Sequence, residues 1–304
     1  MRIFENANYG FTTNWTKAFF FSASLIVISL VGLVTRGITL GIDFLGGSEF
    51  IIQTATPLDV SAVRGDLEES LGMAPEVKLY GSPTTILVRS AVGGDINDIE
   101  SKVLQTIASS YPDSNPEIEK TDSVGPRFAE DLKRGAFLSV LFALVVIFIY
   151  IMVRFEWRFG VGAVVALAHD VTITLGLFAL LHDLVPFSLQ IDQAIIAAFL
   201  TIVGYSLNDT VVVFDRIREY AAVFKTEAYE VVVNKSINST LSRTIITSGT
   251  TLIVMVVLFV TGGEVLRGFA FALIVGILIG TYSSIFVAAP VVLQLRSAGR
   301  KQSR

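Results

Sequence analysis

Asp209 stands in an apolar run, residues 195–214, long enough to cross a membrane. A carboxylate there costs about 2.5–3.5 kcal/mol on insertion scales, and such acids usually face a bundle interior and mark an ion or proton path. Its surroundings are polar as well: Gly204-Tyr205-Ser206-Leu207-Asn208-Asp209. Thr201, Tyr205, Asn208, Asp209 and Val212 share one helical stripe, which should face protein or water rather than lipid. A structural hydrogen bond between helices is the plainer role for the acid. Arg243 opens the next apolar segment, with Thr247, Thr250 and Thr251 on its face. An arginine favours the charged carboxylate and burial the neutral one. A group held between those pulls suits gain and release of a proton. A snorkelling anchor is the alternative role for Arg243.

His169-Asp170 lies near mid-depth in another apolar segment and is a candidate relay member or packing pair. Adjacent residues point to different faces of a helix, so the pair does not make a metal site. No third ligand for a metal is evident. His182, beside Asp183, reads as interfacial. Gly268, Ala272, Gly276, Gly280 and Ser284 form a ladder of small residues that permits close helix packing.

Six segments could hold these residues in a membrane: about 18–35, 135–153, 161–181, 194–214, 244–262 and 268–294. The composition agrees, with 52% hydrophobic and 16% charged residues. The first segment is longer than a signal core and lacks an A-x-A site, so it reads as a retained anchor. There is no cysteine, which excludes disulfides and thiol chemistry. Residues 38–132 hold 16 acidic and 6 basic side chains, and the remainder 11 and 17. The acidic block is a separate module, and its sign argues against nucleic acid.

Basic residues mark one side: Arg2, Lys17, Arg154, Arg158, Arg216, Arg218, Lys225, Lys235, Arg243, Arg296, Arg300, Lys301 and Arg304. By the positive-inside rule both termini are cytoplasmic and the acidic module is extracytoplasmic, with Lys133 and Arg134 outvoted. The sequon Asn238-Ser239-Thr240 then falls on the inner side. The domain reading is 1–36 for the N-terminus and first span, 37–132 for the module, 133–296 for a five-helix bundle and 297–304 for a basic tail.

Within the module, Ser48–Ala55 reads as a strand. Thr56-Pro57-Leu58-Asp59 looks like a helix start, with Thr56 as cap and Pro57 in the first turn. That helix runs to about Leu71. Strands follow at Glu76–Tyr80 and Thr84–Arg89, a helix at Asp95–Ser110 and a strand at Pro116–Thr121. The order βαββαβ predicts an α+β ferredoxin-like domain on a six-helix membrane bundle. No nucleophile–base pair, metal cluster or nucleotide loop suggests an enzyme.

Several motifs carry a family resemblance. They are Gly41-x-Asp43-Phe44-x-Gly46-Gly47, Val124-Gly125-Pro126, the run from Gly204 through Asn208-Asp209 to Glu219, and the run from Asn234 to Thr244. Together they resemble bacterial SecF over essentially the whole chain. The glycine motif is shared with SecD, whereas one small outer domain favours SecF. The resemblance implies half of an RND-type transporter, paired with SecD beside the SecYEG channel, with YajC and YidC as candidate further partners. It implies a protein of the bacterial inner membrane that uses the proton gradient to help draw exported preproteins outward, with no cofactor and sodium as the alternative coupling ion. By the same resemblance Asp209 and Arg243 are proton-path residues and Asn208 supports them. Gly41, Asp43, Phe44, Gly46, Gly47, Gly125 and Pro126 form the junction or hinge of the outer domain. The alternatives are an RND-type exporter of lipids or drugs, and a non-transporting translocon assembly scaffold.

Overall fold

The computed structural model describes residues 8–302 other than Gly93, Asp183 and Pro186, and without the side chains of residues 264, 265 and 298–302. Arg2, Asp183 and Arg304, and the side chains of Arg300 and Lys301, thus lie outside the described residues. The chain forms two compact units. One combines Thr39–Leu138 with Leu181–Ala194; the other takes in the chain up to Ile38, Ser139–Leu180 and Ile195 onward.

The first unit is the α+β domain. Its elements are a short helix α2 (Ile42–Leu45), β1 (Gly47–Gln53), α3 (Val60–Leu71), β2 (Glu76–Tyr80), β3 (Ser82–Ser90), α4 (Ile96–Ser110) and β4 (Glu117–Val124). The antiparallel sheet runs β2-β3-β1-β4, the ferredoxin-like order that βαββαβ predicts. Period-two alternation puts Phe50, Ile52, Ile86 and Val88 on one face, where they form a core with Val63, Leu67, Ile99, Val103 and Ile107 of the two helices.

The start of α3 differs from expectation. Asp59, not Thr56, is the cap, and its carboxylate accepts from the Ser61 and Ala62 N–H groups. The Thr56 carbonyl is taken by the Thr54 hydroxyl at 2.9 Å, which keeps Thr56-Pro57 in the connection. The Asp59 carboxylate, with two backbone donors, supplies the cap instead. β3 starts at Ser82 rather than at the expected Thr84, so Gly81 alone separates it from β2.

The second unit is helical. The six membrane-length helices are α1 (Trp15–Arg36), α5 (Pro126–Arg154), α6 (Trp157–Leu181), α7 (Gln193–Val223), α8 (Tyr229–Thr261) and a last one built from α9 (Gly263–Ser283), a π-helical turn Ser284–Ala288 and α10 (Ala289–Gln302). Pro290 has no N–H to donate, which accounts for the relaxed turn before it. Both α7 and α8 extend beyond their apolar cores, so α8 begins well before the expected residue 244.

Small residues set the helix contacts. A Cβ on Gly276 would sit 2.3 Å from Ile202, and one on Gly280 2.9 Å from Ser206, both on α7. Gly268 and Ala272 of the same ladder are buried. Gly176 gives α6 the same closeness to Ser29 of α1, a contact that no sequence pattern announces. The core gathers Phe155, Phe159, Phe214, Ile217, Val233, Ile237 and Val292. By contrast α5 presents Phe137, Phe142, Phe148 and Val153 outward, as a lipid-facing helix would.

Candidate functional site: two buried carboxylates and a capped helix

Asp209 is 3% exposed. Its hydrogen-bond partner is Ser248 of α8, whose hydroxyl donates to Oδ2 at 3.2 Å. Ser248 in turn accepts from Thr281 of α9 at 2.7 Å. Three helices therefore meet at the carboxylate through two hydroxyls. Arg243 is exposed on α8 and, among the described residues, forms no ion pair with Asp209.

The expected polar stripe on α7 divides. Tyr205 is half-buried and donates to Thr251 at 3.4 Å, while Thr201 and Asn208 are exposed. Sequence reading singled out Arg243 and, on its face, Thr247, Thr250 and Thr251, and missed Ser248. The usable signal was a small hydroxyl on the buried side of α8.

Asp170 of α6 is 1% exposed. Oδ2 accepts from Ser206 of α7 at 2.6 Å and from Ser283 of α9 at 2.8 Å. Oδ1 lies 2.9 Å from His169 Nδ1. The two neighbours therefore touch. Their Cβ atoms diverge, but the longer imidazole leans back to the Asp170 carboxylate. The His169 ring is 4% exposed and stacks on Tyr282, whose hydroxyl donates to the Ala18 carbonyl at 2.9 Å and accepts from Ser22 at 3.0 Å.

Asn234 and Asn238 of α8 form a clamp that sequence reading did not foresee. Their amide oxygens accept from the backbone of Phe11 and Tyr9, each at 2.8 Å, and their amide nitrogens donate to the Tyr9 carbonyl. Asn238 of the sequon is thus held in a protein contact.

In the α+β unit, the glycine motif and the segment after α6 build a junction. Gly41 N–H donates to the Ile191 carbonyl and Ile191 N–H to the Thr39 carbonyl, both at 2.8 Å. A Cβ on Gly41 would press on Asp192 at 3.2 Å. The Asp43 carboxylate accepts the N–H of Gln193, the first residue of α7, at 3.0 Å. Asp43 thereby places a negative charge at a helix N-terminus, where the macrodipole favours it. Phe44 is buried behind it. Gly46 and Gly47 have φ of +74° and +117°, and a Cβ on Gly47 would lie 2.4 Å from the Ser90 carbonyl, so the strand entry there requires glycine. A Cβ on Gly46 would sit 3.3 Å from the Cα of Pro126, which opens α5 after Gly125.

Glu49, Arg89 and Glu76 stand opposite one another on β1, β3 and β2 and pair as a charged row. Gln190 donates to both Glu76 oxygens at 2.9 and 3.0 Å, and Lys78 reaches Glu76 at 2.8 Å and His182 Nε2 at 2.6 Å. Burial pushes the Glu76 carboxyl up, but His182, Lys78 and Arg89 outweigh it and hold the group below the usual carboxylate range. His182 is therefore part of a charged junction rather than a plain interfacial residue. Among the described residues no cluster of metal-ligating side chains occurs.

With this geometry in place, comparison with known proteins is specific. Residues 103–298 match the family "Protein export membrane protein SecD/SecF, C-terminal", and residues 31–57 match the "SecD/SecF GG Motif". Protein translocase subunit SecF of Rhodothermus marinus is 65% identical over 304 residues, covering 100% of this chain and 98% of that protein. The SecF of Escherichia coli O157:H7 is 38% identical, covering 91% and 85%. The crystal structure of SecDF from Thermus thermophilus, described as a translocon-associated membrane protein, matches with a TM-score of 0.85 and 34% identity. That match covers 98% of this chain and 40% of the longer SecDF chain. The chain belongs to the SecF family of protein translocase subunits and is a multi-pass membrane protein.

Proposed function

We propose that this chain is an accessory subunit of the Sec export translocase which, with a SecD partner, couples the proton gradient to movement of exported preproteins. The observation that carries the proposal is Asp209: a membrane-embedded carboxylate, buried between three helices, with one hydroxyl donor and no ion pair among the described residues. Protonation there needs only the reversal of a short hydroxyl chain, with Ser248 turning from donor to acceptor. It removes a charge from the contact between α7, α8 and α9 and so changes how those helices pack. Each proton crossing the membrane supplies about 2.3 kcal/mol per 100 mV, enough to bias a two-state element.

The exposed Asn208, Thr201, Arg243 and Thr250 support a partner. They are polar side chains on membrane-length helices, left open in this chain alone. In the working complex Arg243 and Asn208 would act at that surface. On this reading both termini are cytoplasmic and residues 37–132 extracytoplasmic, as the basic loops favour. The subunit performs no covalent chemistry and needs no cofactor beyond the coupling ion. The junction at Asp43 and Gln193 is the route by which a shift of α7 reaches the outer domain.

The test is the maturation rate of a pulse-labelled secreted protein in cells lacking this subunit. They are complemented with wild type or Asp209→Asn at matched membrane levels, alongside the cognate partner. Wild type should restore export and the variant should not. Equal restoration would sink the coupling role while leaving the family assignment intact.

A further inference from the structure

Asp209 is not the only buried acid in the bundle, and the second carries its own titratable neighbour. His169 Nδ1 faces Asp170 Oδ1 at 2.9 Å, and a carboxylate oxygen can only accept there, so Nδ1 carries the proton and Nε2 is left as the free lone pair. Nε2 has no hydrogen-bond partner among the described residues. His169 is one of the residues that line a groove of about 960 Å³ between α1, α6 and the last helix, together with Thr12, Thr16, Ser22 and Thr172. None of the side chains lining it is charged. The titratable groups facing His169 are Asp170 on its own helix and Tyr282 on α9; α1 offers only the Ser22 hydroxyl through Tyr282.

Asp170 is satisfied in either charge state. Ionised, it accepts from Ser206 and Ser283. Protonated, its O–H can donate to Ser283 Oγ, whose own proton then turns to the Gly280 carbonyl at 3.1 Å. The site also touches the same two helices as Asp209: Ser206 lies one turn before Asp209 on α7, and Ser283 two residues after Thr281 on α9.

We propose that His169 and Asp170 form a second proton-holding site of the bundle, loaded from the groove through His169 Nε2, with Ser283 as the hydroxyl that accommodates both states. On His169 the proton adds to the Nε2 lone pair and leaves by the same atom, an N–H bond forming and breaking; on Asp170 it is held as an O–H on Oδ2 that donates to Ser283 Oγ. The inference deepens the proposed coupling function, and its test is independent of export.

The chain has two histidines, so ¹⁵N-histidine labelling of the full-length protein in lipid bilayers gives two sets of signals, and His182→Gln assigns them. We expect His169 to show one neutral Nδ1–H tautomer at high pH and to convert reversibly to imidazolium as pH falls, while the protein stays folded. In Asp170→Asn, where no negative charge balances it, the imidazolium should not appear over that range. In Ser283→Ala, which keeps the shape of the site, the conversion should shift in pH. A His169 signal in one protonation state throughout the folded range overturns the proposal, as does a titration indifferent to Asp170. Asp209→Asn should leave the His169 titration in place, so failure of the coupling role and failure of this site are read separately.

Discussion

Removing the Asp43 carboxylate should loosen the start of α7 without unfolding the domain that carries it. The group accepts the Gln193 N–H at 3.0 Å at the first turn of a 31-residue helix. Loss of an N-terminal cap costs about 0.5–2 kcal/mol, and an anion at an exposed helix N-terminus contributes about 0.3–1 kcal/mol. Asp43→Ala should therefore cost about 1–2 kcal/mol locally, a factor of roughly 5–30 in the opening equilibrium. Asp43→Asn keeps an acceptor and loses only the charge, so its effect should be roughly 2–5-fold. The backbone bonds between Gly41, Thr39 and Ile191 remain, which confines the change to the junction. Hydrogen exchange of the bilayer-embedded protein, followed at the amides of residues 191–196, reads this directly. Exchange should rise there in the order wild type, Asn, Ala, and stay unchanged in the β1–β3 ladder. Equal rates in all three proteins would refute the cap. Faster exchange across the whole sheet would show that Asp43 supports the domain and not the helix.

Other expectations follow from the same contacts. Because Glu76 is held below the usual carboxylate range, its contribution is complete above the ordinary carboxylate pKa and is lost as pH falls through the folded value. Acidification should thus free the 182–190 segment, and Glu76→Gln should remove that pH response in limited proteolysis. Gly276→Leu forces a side chain into Ile202 and should cost about 1–3 kcal/mol in thermal stability in detergent. Gly65→Ala, in the middle of α3 with nothing near its Cβ, should be neutral or gain about 0.5–1 kcal/mol. Asn234→Ala combined with Asn238→Ala should expose the chain around Tyr9–Thr13 to protease, and an unchanged cleavage pattern would show that the clamp contributes nothing.

What was legible in the sequence was whatever depends on one segment at a time. Six apolar runs became six membrane-length helices, and alternation with turn residues gave the βαββαβ order. The burial of Asp209 and Asp170 also followed, since a carboxylate in an apolar run must face protein. Partners were not legible, because they depend on helix rotation and register that local spacing leaves free. Arg243 and Ser248 lie five positions apart on α8, so they point to different sides; one reaches Asp209 and the other is exposed. His169 and Asp170 are a further case: side chains that leave a helix on different faces still meet, through Nδ1 and Oδ1 at 2.9 Å. The glycine motif was recognisable as letters, but the reason for its aspartate lies some 150 residues away, in the first N–H of α7. That contact gives the motif a mechanical meaning. The helix that bears the buried carboxylate begins on the Asp43 carboxylate, so a change of packing around Asp209 has a hydrogen-bonded end point in the α+β unit rather than a free loop.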